Sequence, residues 1–171
     1  AGDETSRMEL AKAIGLMDRE SPLAGRTEDL LLDASPEVVD YAVESAGRLR
    51  RRESVPWLVD RLDDPRTRGD AAEALSRYGA GAAGTLGDSL LDPAVSAEAR
   101  RRIAGILSAS PSQDTADALL DALQAGGSGL DRDLIDALDR IREQSPGLVF
   151  DPEAVQPALE RELDRLGGVE N

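Results

Sequence analysis

Two leucines four residues apart recur along the chain: Leu58/Leu62, Leu86/Leu90, Leu119/Leu123 and Leu159/Leu163. Their first members are spaced by 28, 33 and 40 residues. A four-residue interval places both side chains on one face of a helix. After the first two pairs the chain turns at Asp64-Pro65 and Asp92-Pro93 and enters a second helical stretch. A period of about 30 residues, filled by two short helices, predicts an all-α solenoid: an α-α superhelix of four to five stacked helix hairpins. No stretch alternates with period two for long enough to make a strand.

The same pattern places the elements. Apolar residues at Met8, Leu10, Ala11, Ala13, Ile14 and Met17 predict one amphipathic helix, the second half of a partial first repeat over 5–17. Leu30-Leu31-Leu32 closes a short helix. Ser35-Pro36-Glu37 opens another that runs to Leu49: serine caps, proline takes the first helical position, and glutamate meets the positive dipole end. Repeats are expected over 27–49, 54–78, 82–109 and 113–144. A capping helix over 152–167 completes about ten helices in one domain, 1–171. Asp64-Pro65 is expected to start the helix that Gly79 stops, and Gly126 to Gly129 reads as a flexible joint. Each hairpin is too short to stand alone, so the leucine pairs must bury against neighbours. The last helix carries Glu153, Glu160, Arg161, Asp164 and Arg165 on a charged side, as a solvated end of the stack would.

Composition narrows the function. Hydrophobics are 40% but aromatics only 2%, so the core is Leu, Ala, Val and Ile in thin helix layers. Trp57, within an apolar VPWLV run, reads as a packed residue. There is no cysteine and no histidine, which removes disulfides, thiolate metal sites, the usual general base and the commonest metal ligand. No cofactor is expected. No apolar run reaches the length of a membrane span, and no signal-peptide pattern opens the chain. The chain begins at Ala1, as a piece excised from a longer protein or left by cleavage of a tag would. A net charge of −14 repels phosphate backbones, which argues against nucleic-acid partners. Lys12 is the only lysine, so nearly all basic residues are arginine. Many acids with so little lysine suit a salt-adapted or GC-rich source.

Three sets of residues carry candidate chemistry. Glu44/Arg48, Glu73/Arg77 and Asp136/Arg140 are acid–arginine pairs at i,i+4 in second helices, a series that the third repeat breaks with Gly105 and Ala109. On the concave side of a solenoid, Arg48, Arg77 and Arg140, with Tyr78, would make a broken row that seats an acidic protein segment. The competing reading is the favoured intrahelical pair, contributing about 0.2–0.5 kcal/mol each. Arg48, Arg50, Arg51 and Arg52 form one basic run, and Arg100, Arg101 and Arg102 another. Either is a docking point for phosphates or anionic headgroups, or merely a set of partners for helix-end carbonyls and acidic neighbours. The turn aspartates Asp63, Asp64, Asp92 and Asp151 read as caps rather than catalytic carboxylates. Gly79, Gly81, Gly84 and Gly87 lack the following Lys-Ser/Thr of a phosphate-binding loop.

DPRTRGDAAEALSRYG and SPEVVDYAVESAGRL resemble short HEAT repeats of the kind called PBS-lyase HEAT-like. The family's turn aspartate matches Asp33, Asp63/Asp64 and Asp92; its early second-helix arginine matches Arg68 and Arg100 and is absent at Val39 and Asp131. The likeness covers residues 5–166. Residues 98–165, from AEARRRIAGILS to DLIDALDRIREQSPGLVFDPEAVQPALERELD, are also similar to soluble HEAT segments attached to bacterial ADP/ATP-translocase or major-facilitator-type transporters. That resemblance implies a non-enzymatic, cytoplasmic interaction module, tethered through a membrane domain elsewhere in the same protein and not itself inserted in the bilayer. The alternatives are a bilin-lyase-type enzyme, linked by the fold name alone, and an anion- or nucleotide-sensing domain acting through the arginine runs.

Overall fold

The computed structural model describes residues 2–126 and 129–167; Gly127 and Ser128, half of the expected glycine joint, lie outside the described residues. Among these residues all regular structure is helical, in ten α-helices joined by short turns. Long-range contacts gather into two units, Ala1–Ala82 and Ala83–Asn171.

The first unit holds α1 (Glu4–Ile14), α2 (Arg26–Leu31), α3 (Pro36–Leu49), α4 (Val55–Asp60) and α5 (Arg68–Ser76). The start of α3 is the one read from sequence: Ser35 Oγ accepts from the Val38 N–H at 3.4 Å, with Pro36 at the first helical position. Asp64 does not cap α5. Its Oδ1 instead accepts from the Arg66 N–H at 2.9 Å, closing a small turn, and the helix begins after Thr67. Likewise Asp92 closes a turn on the Ala94 N–H, and Ser96 is the cap of the helix that follows. Proline after aspartate here shapes the turn before a helix rather than its first residue.

Helix α3 is the centre of this unit. It packs between α1 and α5 and also rests on α2, while α4 lies against α2 and α5. Val38, Val39, Ala42, Val43, Ala46 and Leu49 of α3 are buried, as the apolar stripe predicts. Ile14, Leu31, Leu58, Leu62 and Leu75 of the same unit are fully buried as well. Gly47 permits the approach of α5: a Cβ there would stand 2.9 Å from Cα and Cβ of Ala74. Arg7 ties α1 to the turn before α3. Its Nε donates to Asp33 Oδ2 at 2.7 Å and its Nη2 to Oδ1 at 3.1 Å, a two-pronged pair. The Arg7 guanidinium and the Ser35 N–H hold the Asp33 carboxyl below its ordinary range.

The second unit holds α6 (Ala83–Leu91), α7 (Ala97–Ser108), α8 (Gln113–Ala125), α9 (Asp131–Gln144) and α10 (Pro152–Gly167). Here α8 packs against α6, α9 and α10, and α7 against α9. Ser112 and Thr115 form a reciprocal cap at the start of α8, each side chain accepting from the other's backbone N–H. Leu86, Leu90, Leu119 and Leu123 are buried, so these recurrent pairs do form the core.

The fourth pair does not. Leu159 is 47% exposed and Leu163 67% exposed. Helix α10 turns Ala154 and Ala158 inward instead. Small residues let the helix lie close to α8 and α9, and Arg161 fixes its rotation. That guanidinium donates from Nε to the buried Asp131 Oδ2 at 2.8 Å and from Nη2 to the Leu123 carbonyl at 2.8 Å. It lies over Gly126, where φ is +62° and a Cβ would stand 3.1 Å from the guanidinium carbon. Arg161 thus belongs to an internal latch and not to a solvated side; Arg165, named with it, has a side chain outside the described residues.

Candidate functional site

Of the residues read from sequence as a partner-binding row, Arg48, Arg77 and Tyr78 lie in the first unit and Arg140 in the second. Arg48 donates from Nη2 to Glu44 at 2.6 Å, and Arg77 from Nη2 to Glu73 at 2.7 Å. Both are exposed pairs within a single helix or its last turn. Arg140, in the other unit, is exposed and forms no ion pair with Asp136; its neighbour Arg142 takes Asp139 at 2.7 Å. Tyr78 is buried, with 9% of its surface exposed. Its hydroxyl lies 3.0 Å from the carbonyls of both Ala46 and Arg51 and shares its proton between them. Burial pushes that hydroxyl's pKa well up, so it remains a donor. Tyr78 therefore fastens the end of α3 and offers no face to a partner.

What the first unit does present is an acidic groove between α3 and α5, of about 360 Å³. Asp40, Tyr41 and Glu44 line it from α3; Asp70, Glu73, Ala74 and Arg77 line it from α5. The two acidic sets follow from helix spacing: Asp40/Glu44 at i,i+4 and Asp70/Glu73 at i,i+3 share a face on their own helices. That spacing is legible in the sequence and was the signal to follow. The pairing of the two helices, which brings all four carboxylates to one groove, is not. Three of the four already hold an exposed arginine: Asp40 with Arg66 at 2.6 Å, Glu44 with Arg48 and Glu73 with Arg77. Asp70 is exposed. Exposed ion pairs contribute little and exchange readily. Tyr41 adds an aromatic wall, and the Lys12 ammonium already sits 4.4 Å from its ring centroid. Lys12 also donates to Glu9 at 2.8 Å, which raises its pKa. Among the described residues no group of three or more carboxylates is placed to hold a metal ion.

A scan against protein-family models matches none, and a search of curated proteins finds no relative.

The basic runs fare differently from one another. Arg101 and Arg102 are neutralised on α7 by Glu98, at 3.1 and 2.6 Å, and Arg101 also reaches Asp133 at 3.4 Å. Arg50, Arg51 and Arg52 instead line a cavity of about 550 Å³ in the first unit, together with Arg19, Glu20, Glu53, Tyr78 and Gly81. Sequence reading missed Arg19 because it lies 31 residues before Arg50, in the turn between α1 and α2. A third cavity, about 320 Å³ in the second unit, is bounded by Ile135, Leu138, Phe150 and Val155.

No helix among the described residues is long and apolar enough to cross a membrane.

Proposed function

We propose that this chain is a non-enzymatic, HEAT-like interaction module whose α3–α5 groove receives a basic protein segment. The groove carries the reading: four carboxylates, a tyrosine and a single arginine line a cavity of about 360 Å³. Lys12 against Tyr41 supplies an internal precedent for the contact, since a cation is already held on that ring. The sequence reading put an acidic partner on an arginine row. The groove's own charge now favours the opposite sign.

The broader setting is a cytoplasmic domain of a bacterial transporter, supported by the likeness of residues 98–165 to such appendages. Cytoplasmic loops of membrane proteins carry an excess of Lys and Arg. An acidic groove beside such loops would find a complementary strand within its own full-length chain. The chain has no histidine or cysteine, so the usual general base and the thiol nucleophile are missing.

The test is fluorescence anisotropy with a labelled peptide rich in Lys and Arg, at physiological salt. Asp70→Lys/Glu73→Lys should weaken binding at least tenfold. Asp114→Lys/Asp121→Lys, an equal change of net charge on exposed positions of α8, should leave it within twofold. Equal losses in both variants would reduce the effect to overall charge and end the proposal.

A further inference from the structure

The turn after α3 carries a second site of opposite sign. We propose that the cavity walled by Arg19, Arg50, Arg51 and Arg52 binds the phosphoryl group of a small anionic ligand. It is independent of the acidic groove. Three observations carry it.

Four arginines and two glutamates line one cavity of about 550 Å³. Local charge is thus positive in a chain whose net charge is −14. Guanidinium forks match phosphate oxygens two at a time, which is why arginine is the usual residue in such sites. The surrounding negative field disfavours long polyanions and favours a compact one.

Arg50 is the only non-glycine residue with positive φ among the described residues, at φ 51° and ψ 41°. It ends α3 in the left-handed conformation, where glycine is the unstrained choice. An arginine held there at a cost points to a use for its side chain.

Arg51 is poorly partnered for a group with five donors. Its Nη1 donates to the Arg19 carbonyl at 3.3 Å. Its nearest carboxylates, Glu28 and Glu53, stand at 3.7 and 3.8 Å. Its Nε is shielded from solvent with no acceptor. The Nε atoms of Arg61, Arg100 and Arg102 are shielded in the same way, and the Arg102 side chain closes on Glu98 at 2.6 Å; what sets Arg51 apart is its place in the cavity. Meanwhile the Tyr78 hydroxyl pins the Arg51 carbonyl, so the backbone that aims this cluster is fixed before any ligand arrives.

Calorimetric titration with inorganic phosphate and pyrophosphate tests the site, with co-sedimentation on phosphatidylglycerol vesicles as a second arm. Saturable one-to-one binding of pyrophosphate supports a soluble ligand; binding to vesicles alone assigns the same site to a lipid headgroup. Arg50→Gly is the informative variant, because it relieves the backbone strain while deleting the guanidinium. It should melt at or above the temperature of the parent chain and bind at least tenfold more weakly. Arg19→Ala should weaken binding as well. Arg101→Ala/Arg102→Ala should leave affinity within twofold. Silence with both anions up to millimolar concentration and with vesicles overturns the proposal. So does undiminished binding by Arg50→Gly, or an equal loss in the α7 double variant.

Discussion

Arg50–Arg52 and Arg100–Arg102 are nearly the same letters in two parts of the molecule, and the backbone gives them different surroundings. The second run lies within the first turns of α7, where i,i+3 and i,i+4 spacing hands Arg101 and Arg102 to Glu98. The first lies where a helix has just ended. Arg50 leaves α3 left-handed, Arg51 is extended, and Arg52 begins a 3-10 turn. All three line a cavity, and the carboxylates nearest Arg51, those of Glu28 and Glu53, stand at 3.7 and 3.8 Å. Spacing within a helix gives Arg101 and Arg102 a carboxylate on their own helix, whereas a run at a helix end takes its surroundings from tertiary packing. The leucine pairs teach the same lesson. Leu119/Leu123 and Leu159/Leu163 have identical spacing, yet one pair is buried and the other exposed, because α10 is turned by its alanines and by Arg161.

The leucines offer the largest effect with which to break this comparison. Leu58→Ala or Leu119→Ala should cost about 2–5 kcal/mol, from lost burial plus the cavity left behind. Leu163→Ala should stay within about 0.5 kcal/mol, as an exposed position does. Urea melts of the three variants decide it; a heavy loss at Leu163 would mean α10 sits in another rotation.

A middle-sized effect sharpens the arginine contrast. Tyr78→Phe removes one hydroxyl and leaves the carbonyls of Ala46 and Arg51 without it. The expected cost is about 1–3 kcal/mol. Amide exchange should quicken at the end of α3 and not in α7. Uniform exchange across both would show that Tyr78 does not hold the arginine turn in place.

The smallest effect is a slope. Asp33 is held below its ordinary pKa of 3.8 by Arg7 and the Ser35 N–H. The unfolded state therefore takes up its proton first as pH falls. The stability this carboxylate contributes is whole above about pH 4 and is lost as pH drops through its lowered folded value. Asp33→Asn should lower stability at pH 7 and flatten the decline below pH 4. Parallel acid-unfolding curves for the two proteins would show that the Arg7 pair is not linked to folding.

Much of the local structure was legible before any coordinates. The Ser35-Pro36 start, the apolar stripe of α3 and three leucine pairs rest on contacts within a helix turn or on plain burial, and sequence spacing reports both. The start of α5 was placed too early, because Asp-Pro serves a turn as well as a helix cap. The site was legible only in halves. Asp40/Glu44 and Asp70/Glu73 each share a face by spacing alone, but nothing in the chain says those faces meet. Tyr78 read as a surface aromatic because its two acceptors lie 27 and 32 residues earlier.

The sequence by itself determined that this protein is helical, where most of its helices run, and that it has no histidine or cysteine. These depend on near neighbours and on composition. Tertiary structure alone decided which arginines are neutralised, which leucines are covered and which carboxylates share a groove. Each of those is a question of how one helix is rotated against another, and a rotation set by contacts some thirty residues apart leaves no periodic trace in the chain.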